Sequence, residues 1–184
     1  LRRFLVAPLV EAWIEIQELK ELKKRLAAEA KEKGICREWY EFILNAPSKE
    51  RLLTLFVKGL DFCVENDYPS AQLRAEFAGL RQHFGIFMSD HISVKSGKYV
   101  IAFGTSEGKA NYSGFDVAQI WAREDTRLGV TATDNAVVCI EVADRAQVTI
   151  TASGAARVSV FLHGGTITKN ATDKATIKVI DKSE

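Results

Sequence analysis

The stretch with the clearest chemical look is Gly104-Thr105-Ser106-Glu107-Gly108-Lys109-Ala110, directly after the apolar run 98–103. A phosphate-cradling loop places four residues between its glycines, then Lys and a hydroxyl, and opens into a helix. Here only three residues separate Gly104 from Gly108, Ala110 replaces the hydroxyl that would hold Mg²⁺, and NYSGFDV does not read as a helix. Residues 104–114 are therefore read as a polar loop. Its aromatic neighbours Tyr112, Phe115 and Trp121 make it a candidate binding loop for a carbohydrate or small ligand.

The other reactive side chains are scattered. His83, His91 and His163 fall on separate segments, and none has a second metal ligand at helical i,i+4 spacing. Cys36, Cys63 and Cys139 are odd in number and lack a CxxC pair, so they read as small apolar residues in a reducing compartment. Thr149-Ile150-Thr151 and Thr166-Ile167-Thr168 suggest short threonine ranks, but threonine is also an ordinary outward strand residue. No catalytic residue, metal or cofactor is expected from these patterns.

Charge narrows the partners. Lys and Arg number 25 against 24 Asp and Glu, a formal net charge of +1. Residues 1–85 hold 14 basic and 13 acidic residues, and 86–184 hold 11 of each. Nucleic-acid binding normally needs a basic excess, so no nucleic-acid partner is expected. No apolar run reaches the roughly 18–20 residues that cross a bilayer, so no membrane partner is expected either. A cytoplasmic localisation is expected, and the resemblance described below adds a virion-associated one. The chain starts at Leu1 without Met, and further residues are expected upstream.

The elements that position these residues fall into two regions, 1–85 helical and 86–184 β-repetitive. Residues 3–33 read as one long helix. Leu5, Leu9, Ala12, Ile16, Leu19, Leu26 and Ala30 alternate in steps of four and three, with Lys23 filling one place, which is a heptad seam. Glu21–Arg25 and Glu29–Lys33 are well-ordered i,i+4 pairs. Shorter helices are expected over 35–45, 49–65 and 71–83, with Ser48 and Ser70 as caps. The seam can be covered by residues 35–83 of the same chain or by another copy.

After Gly85 the period becomes two. Strands are expected over 86–94, 98–103 and 115–122. Then a ten-residue repeat dominates. One apolar column runs Leu128, Val138, Val148, Val158 and, after a one-residue slip, Ile167 and Ile177. A second runs Val130, Ile140, Ile150, Val160 and Val179. Ala136, Ala146, Ala156 and Ala175 precede the first column by two, and Asp125, Asp134, Asp144, Gly154, Gly164-Gly165 and Asp173 mark corners. An antiparallel sandwich explains the alternation but not the fixed register. A short β-solenoid or β-roll of stacked strands explains both. With two units per coil, Phe161 and Ile180 share an outward face that asks for cover.

The segment VKGLDFCVENDYPSAQLRAEFAGL, together with DNAVVCIEVADRAQVTITA and the later GGTI, resembles small bacterial proteins that are helical first and β-repetitive second, often carried on prophages or other mobile elements. That resemblance implies a structural or assembly role and transfers no functional residue. The expectation is an α+β chain acting as a non-enzymatic assembly or interaction module. Leu9, Ile16, Leu19, Leu26, Phe161 and Ile180 form its interface, and the partner is a second copy, in a parallel dimer or trimer, or another structural protein.

Overall fold

The computed structural model describes residues 6–183, with side chains from Val10 onward. Leu5 and the side chain of Leu9 lie outside the described residues. A helical unit ends at Phe84 and a β unit begins at Gly85.

The helical unit contains α1 (Val6–Glu32), α2 (Arg37–Leu44), α3 (Lys49–Lys58), α4 (Leu60–Glu65), α5 (Ala71–Ala75) and a 3₁₀ turn at Arg81–Phe84. Ser48 caps α3 as expected, its hydroxyl accepting from the Arg51 N–H at 3.3 Å. The expected single helix over 49–65 is broken at Gly59, which ends α3 and opens α4. The Trp39 ring lies 3.0 Å from where a Gly59 Cβ would stand, so the ring occupies the space a side chain would take. The helix expected over 71–83 stops at Ala75, and Gly79, at φ +81°, lies in the turn beyond it. Ser70 makes no side-chain cap; its N–H donates to Glu29 Oε1 at 2.8 Å.

Only the C-terminal half of α1 is built into this unit. Leu22, Leu26, Ala27 and Ala30 are buried, and α2 packs along this helix. Lys23 Nζ donates to the Ala46 carbonyl at 3.0 Å, and the Tyr68 hydroxyl donates to the Leu26 carbonyl at 3.1 Å.

The β unit is a two-sheet parallel solenoid. Its strands are β1 (Ile86–Met88), β2 (His91–Lys95), β3 (Tyr99–Phe103), β4 (Glu107–Tyr112), β5 (Val117–Ala122), β6 (Arg127–Ala132), β7 (Val137–Val142), β8 (Gln147–Ala152), β9 (Arg157–Leu162), β10 (Thr166–Ala171) and β11 (Thr176–Asp181). The odd strands form one sheet in the order β1-β3-β5-β7-β9-β11, and the even strands form the other, β10-β8-β6-β4-β2. All these pairs are parallel, because each coil advances the chain by one strand layer.

The register follows the apolar columns. Leu128 pairs with Val148 and then Ile167 in the even sheet; Val138 pairs with Val158 and then Ile177 in the odd sheet. The side chains of Val138, Ile140, Val148, Ile150, Val158 and Val160 are nearly or fully buried between the sheets. The one-residue slip has a local cause. The corner before β10 has three residues, 163–165, where the corner before β8 has four, 143–146. Gly165 at φ +76° makes that shorter turn, and a Cβ there would collide with the Ala146 carbonyl.

Two expectations fail in this unit. Residues 104–114 are not a loop, since they contain β4, a full rung between β2 and β6. The strand expected over 86–94 is split at Ser89-Asp90, where Ser89 takes φ +55°.

Candidate functional site

The corners repeat one device. At successive turns a residue sits in the left-handed region: Ser96, Gly104, Gly114, Glu124, Asp134, Asp144, Gly154, Gly165 and Asp173. Glycine or a short acidic residue tolerates this conformation best. The acidic side chains then stitch neighbouring coils. Glu124 accepts from the Gly104 N–H at 2.7 Å, and Asp134 from the Gly114 N–H at 2.9 Å. Asp144 accepts from the Glu124 N–H at 2.9 Å, and Asp173 from the Gly154 N–H at 3.1 Å. Glu124, rather than the expected Asp125, takes the corner position; Asp125 instead pairs with Arg145 at 2.7 Å. Burial alone would raise the Asp144 carboxyl, but the Glu124 N–H and the Arg123 guanidinium hold it below the usual range. The Ser113 N–H and the Ser96 hydroxyl likewise lower Asp116. These carboxylates bond to the protein's own backbone, which accounts for them structurally.

The expected ligand loop is not assembled. Tyr112 points into the solenoid and is buried; Phe115 sits on the corner between β4 and β5, 84% exposed. Trp121 lies on the outer side of β5, its ring 6.4 Å from that of Tyr99. The three aromatic residues thus occupy an interior, a corner and an outer face. Gly108 and Lys109 lie on β4, and Gly108 takes the inward place between Ile92 and Leu128. A Cβ there would strike the Ile92 backbone, so this glycine serves close packing, not a phosphate.

Little else on the β unit gathers chemistry. Thr168 pairs with Thr149, but Thr166 stands opposite Gln147 and Asn170 opposite Thr151, so the threonine ranks do not stack as doublets. Among the described residues no group of three or more His, Cys, Asp or Glu is placed to hold a metal ion. Burial pushes the Cys63 thiol up to about 12, and it raises Cys139 as well, so neither is poised as a thiolate near neutral pH.

The expected interface residues separate into three groups. Phe161 and Ile180 are direct partners across β9 and β11 on the outer side of the odd sheet. Their column continues through Glu141 to Trp121, so a charge interrupts it. Both side chains are half-buried by their neighbours, and the demand for outside cover is modest. Leu26 belongs to the core of the helical unit and is not an interface residue, a correction to the expected seam. Lys23 is likewise taken by Ala46 of its own chain.

Ile16 and Leu19 belong to the third group. Ile16 is 62% exposed and Leu19 half-buried. Around them the structure reveals apolar residues outside the heptad reading: Val10 at 48%, Trp13 at 60% and Ile14 at 44% exposure. Their spacing, 10, 13 and 14, is itself helical and marks a second face beside the seam. Val10, Trp13, Ile14 and Ile16, four large apolar side chains on two turns of one helix, form a conspicuous exposed apolar surface among the described residues.

The fold and this surface together define a class, a helical unit followed by a two-sheet parallel β-solenoid with a partly uncovered leading helix. No family model, no curated protein and no solved structure matches the chain. Among the described residues no helix is long and apolar enough to cross a membrane.

Proposed function

We propose that the chain is a non-enzymatic assembly module in which the first half of α1 joins copies of the protein and the solenoid serves as a rigid body carried by that assembly. The observation behind this reading is the exposure of Val10, Trp13, Ile14 and Ile16 on a helix whose second half buries Leu22, Leu26, Ala27 and Ala30. Exposed apolar clusters of this kind are costly in water and mark interaction surfaces. A helix end with no tertiary cover also gains little from propensity alone. The resemblance to proteins of prophages and mobile elements favours the same role, in the cytoplasm or on a virion.

Light scattering on the full chain at tens of micromolar tests the reading. The expected mass is a multiple of 20.4 kDa. A monomer across the concentration range contradicts it. A screen of glycans and nucleotides should leave the melting temperature unchanged, since a ligand that binds the folded state raises it.

A further inference from the structure

The last strand layer of the solenoid is built differently from those beneath it. β10 and β11 stand at the ends of their sheets, each paired with one strand. An edge of this kind presents a row of unpaired backbone groups, ready to pair with another chain. In the even sheet one inward column runs Val94, Ala110, Val130, Ile150 and then Lys169. In the odd sheet another runs Ala122, Val142, Leu162 and then Asp181. Each column is apolar until its last layer, where it carries a charge. Ile167, Ile177 and Val179 keep the apolar inward pattern in that layer and are half-buried, so the end would otherwise accept a further layer.

We infer that Lys169 and Asp181 guard this end of the solenoid, keeping it from pairing with the same end of a second copy. This goes beyond the assembly reading, since it concerns the solenoid and not α1. Two identical ends can meet about a two-fold axis, which makes a second copy the partner always at hand. Both guard residues are exposed. A strand layer laid over β10 and β11 would take their charges out of water, and burying a charge without a partner is costly. An inward charge on an edge strand blocks edge-to-edge pairing in this way. The two residue types fit their places. Lys169 pairs with Ile150, which is fully buried; a lysine stem covers apolar surface while its ammonium stays in water. Asp181 Oδ1 accepts from the Ser183 N–H at 2.9 Å and from the Ser183 hydroxyl, both on the exposed rim.

Sedimentation velocity of the full chain and its variants, at matched concentration, tests this. Lys169→Ile combined with Asp181→Leu should at least double the mass seen for the unchanged chain, whatever that mass is. Amides of β10 and β11 should gain protection from hydrogen exchange in this variant. Thr168→Ile adds the same apolar side chain on the outward side of β10, where Thr168 pairs with Thr149, and should leave the mass unchanged. Lys169→Glu keeps a charge in the inward place and should leave it unchanged as well. An unchanged mass in the double variant overturns the guard. So does an equal rise in Thr168→Ile, which would reduce the effect to general stickiness. Any change of mass in Lys169→Glu overturns it too, since either charge should serve. A double variant that melts below the unchanged chain contradicts the inward placement of the two residues. A monomeric unchanged chain would defeat the assembly reading and leave the guard intact.

Discussion

The β unit and the first half of α1 treat apolar surface in opposite ways. Between the sheets, Ile140, Ile150 and Val160 are fully buried, each stacked on a like residue one coil away. On α1, Trp13 and Ile16 are more than half exposed. The β unit finds its cover within its own repeat, since every rung is a surface for the next. Among the described residues, Val10, Trp13, Ile14 and Ile16 of the helix stay largely exposed. Substitutions in the two regions should accordingly read out in different experiments, one in stability and the other in mass.

The largest effect is expected inside the solenoid. Val148→Asp would place a carboxylate between the sheets, where no partner relieves its desolvation. It should cost more than about 4 kcal/mol and abolish cooperative unfolding of the β unit, followed by urea denaturation. Thr149→Asp, one residue on and exposed, should change stability by less than about 0.5 kcal/mol. Equal effects from both would refute the inward register.

The corners should give an intermediate and graded response. Gly154 and Gly114 occupy the same turn position at φ +68° and +59°. At Gly154 a Cβ would stand 2.9 Å from the Asp134 backbone N, whereas at Gly114 nothing lies within 4 Å. Gly114→Ala should cost about 1 kcal/mol, the price of the left-handed conformation alone. Gly154→Ala should cost clearly more because backbone must also shift. Matched thermal melts of the two variants decide between strain and space.

The smallest effect concerns pH. Asp116 and Asp144 are held below the ordinary value of 3.8 in the folded chain. A depressed folded pKa contributes stability that is present above the unfolded value and lost as pH falls through the folded one. The melting temperature of the β unit should therefore drop below about pH 4, and Asp144→Asn should flatten that drop. An unchanged slope in Asp144→Asn would remove Asp144 as a source of the acid sensitivity.

Much of this architecture was legible in the residues because alternation and a fixed period report burial directly. Val138, Val148 and Val158 recur every ten places since each strand and its corner take ten residues. The rung at β4 escaped notice because its inward residues are Gly108, Ala110 and Tyr112, and the first two are too small to mark an apolar column. A signal existed: counting back twenty from Leu128, Val130 and Asp134 lands on Gly108, Ala110 and Gly114. In the helical unit, one local and two tertiary contacts replaced the pairs that i,i+4 spacing predicts. Glu21 pairs with Lys24 at 2.8 Å and Arg25 with Glu76 at 3.1 Å, while Glu29 bonds the Ser70 backbone. The heptad pattern showed which residues of α1 are apolar, but not that coverage begins only near Leu22. That depends on where α2 and the later turns fold back, which spacing along α1 does not encode.

Hydrogen–deuterium exchange of the full chain at high and low concentration tests the central contrast most directly. Amides of residues 10–19 should be protected at high concentration and released on dilution, because their cover comes from other copies. Amides of β5 to β9 should exchange slowly and equally in both, because their cover comes from the same chain. Identical exchange of residues 10–19 at the two concentrations, with the chain monomeric, would contradict the account.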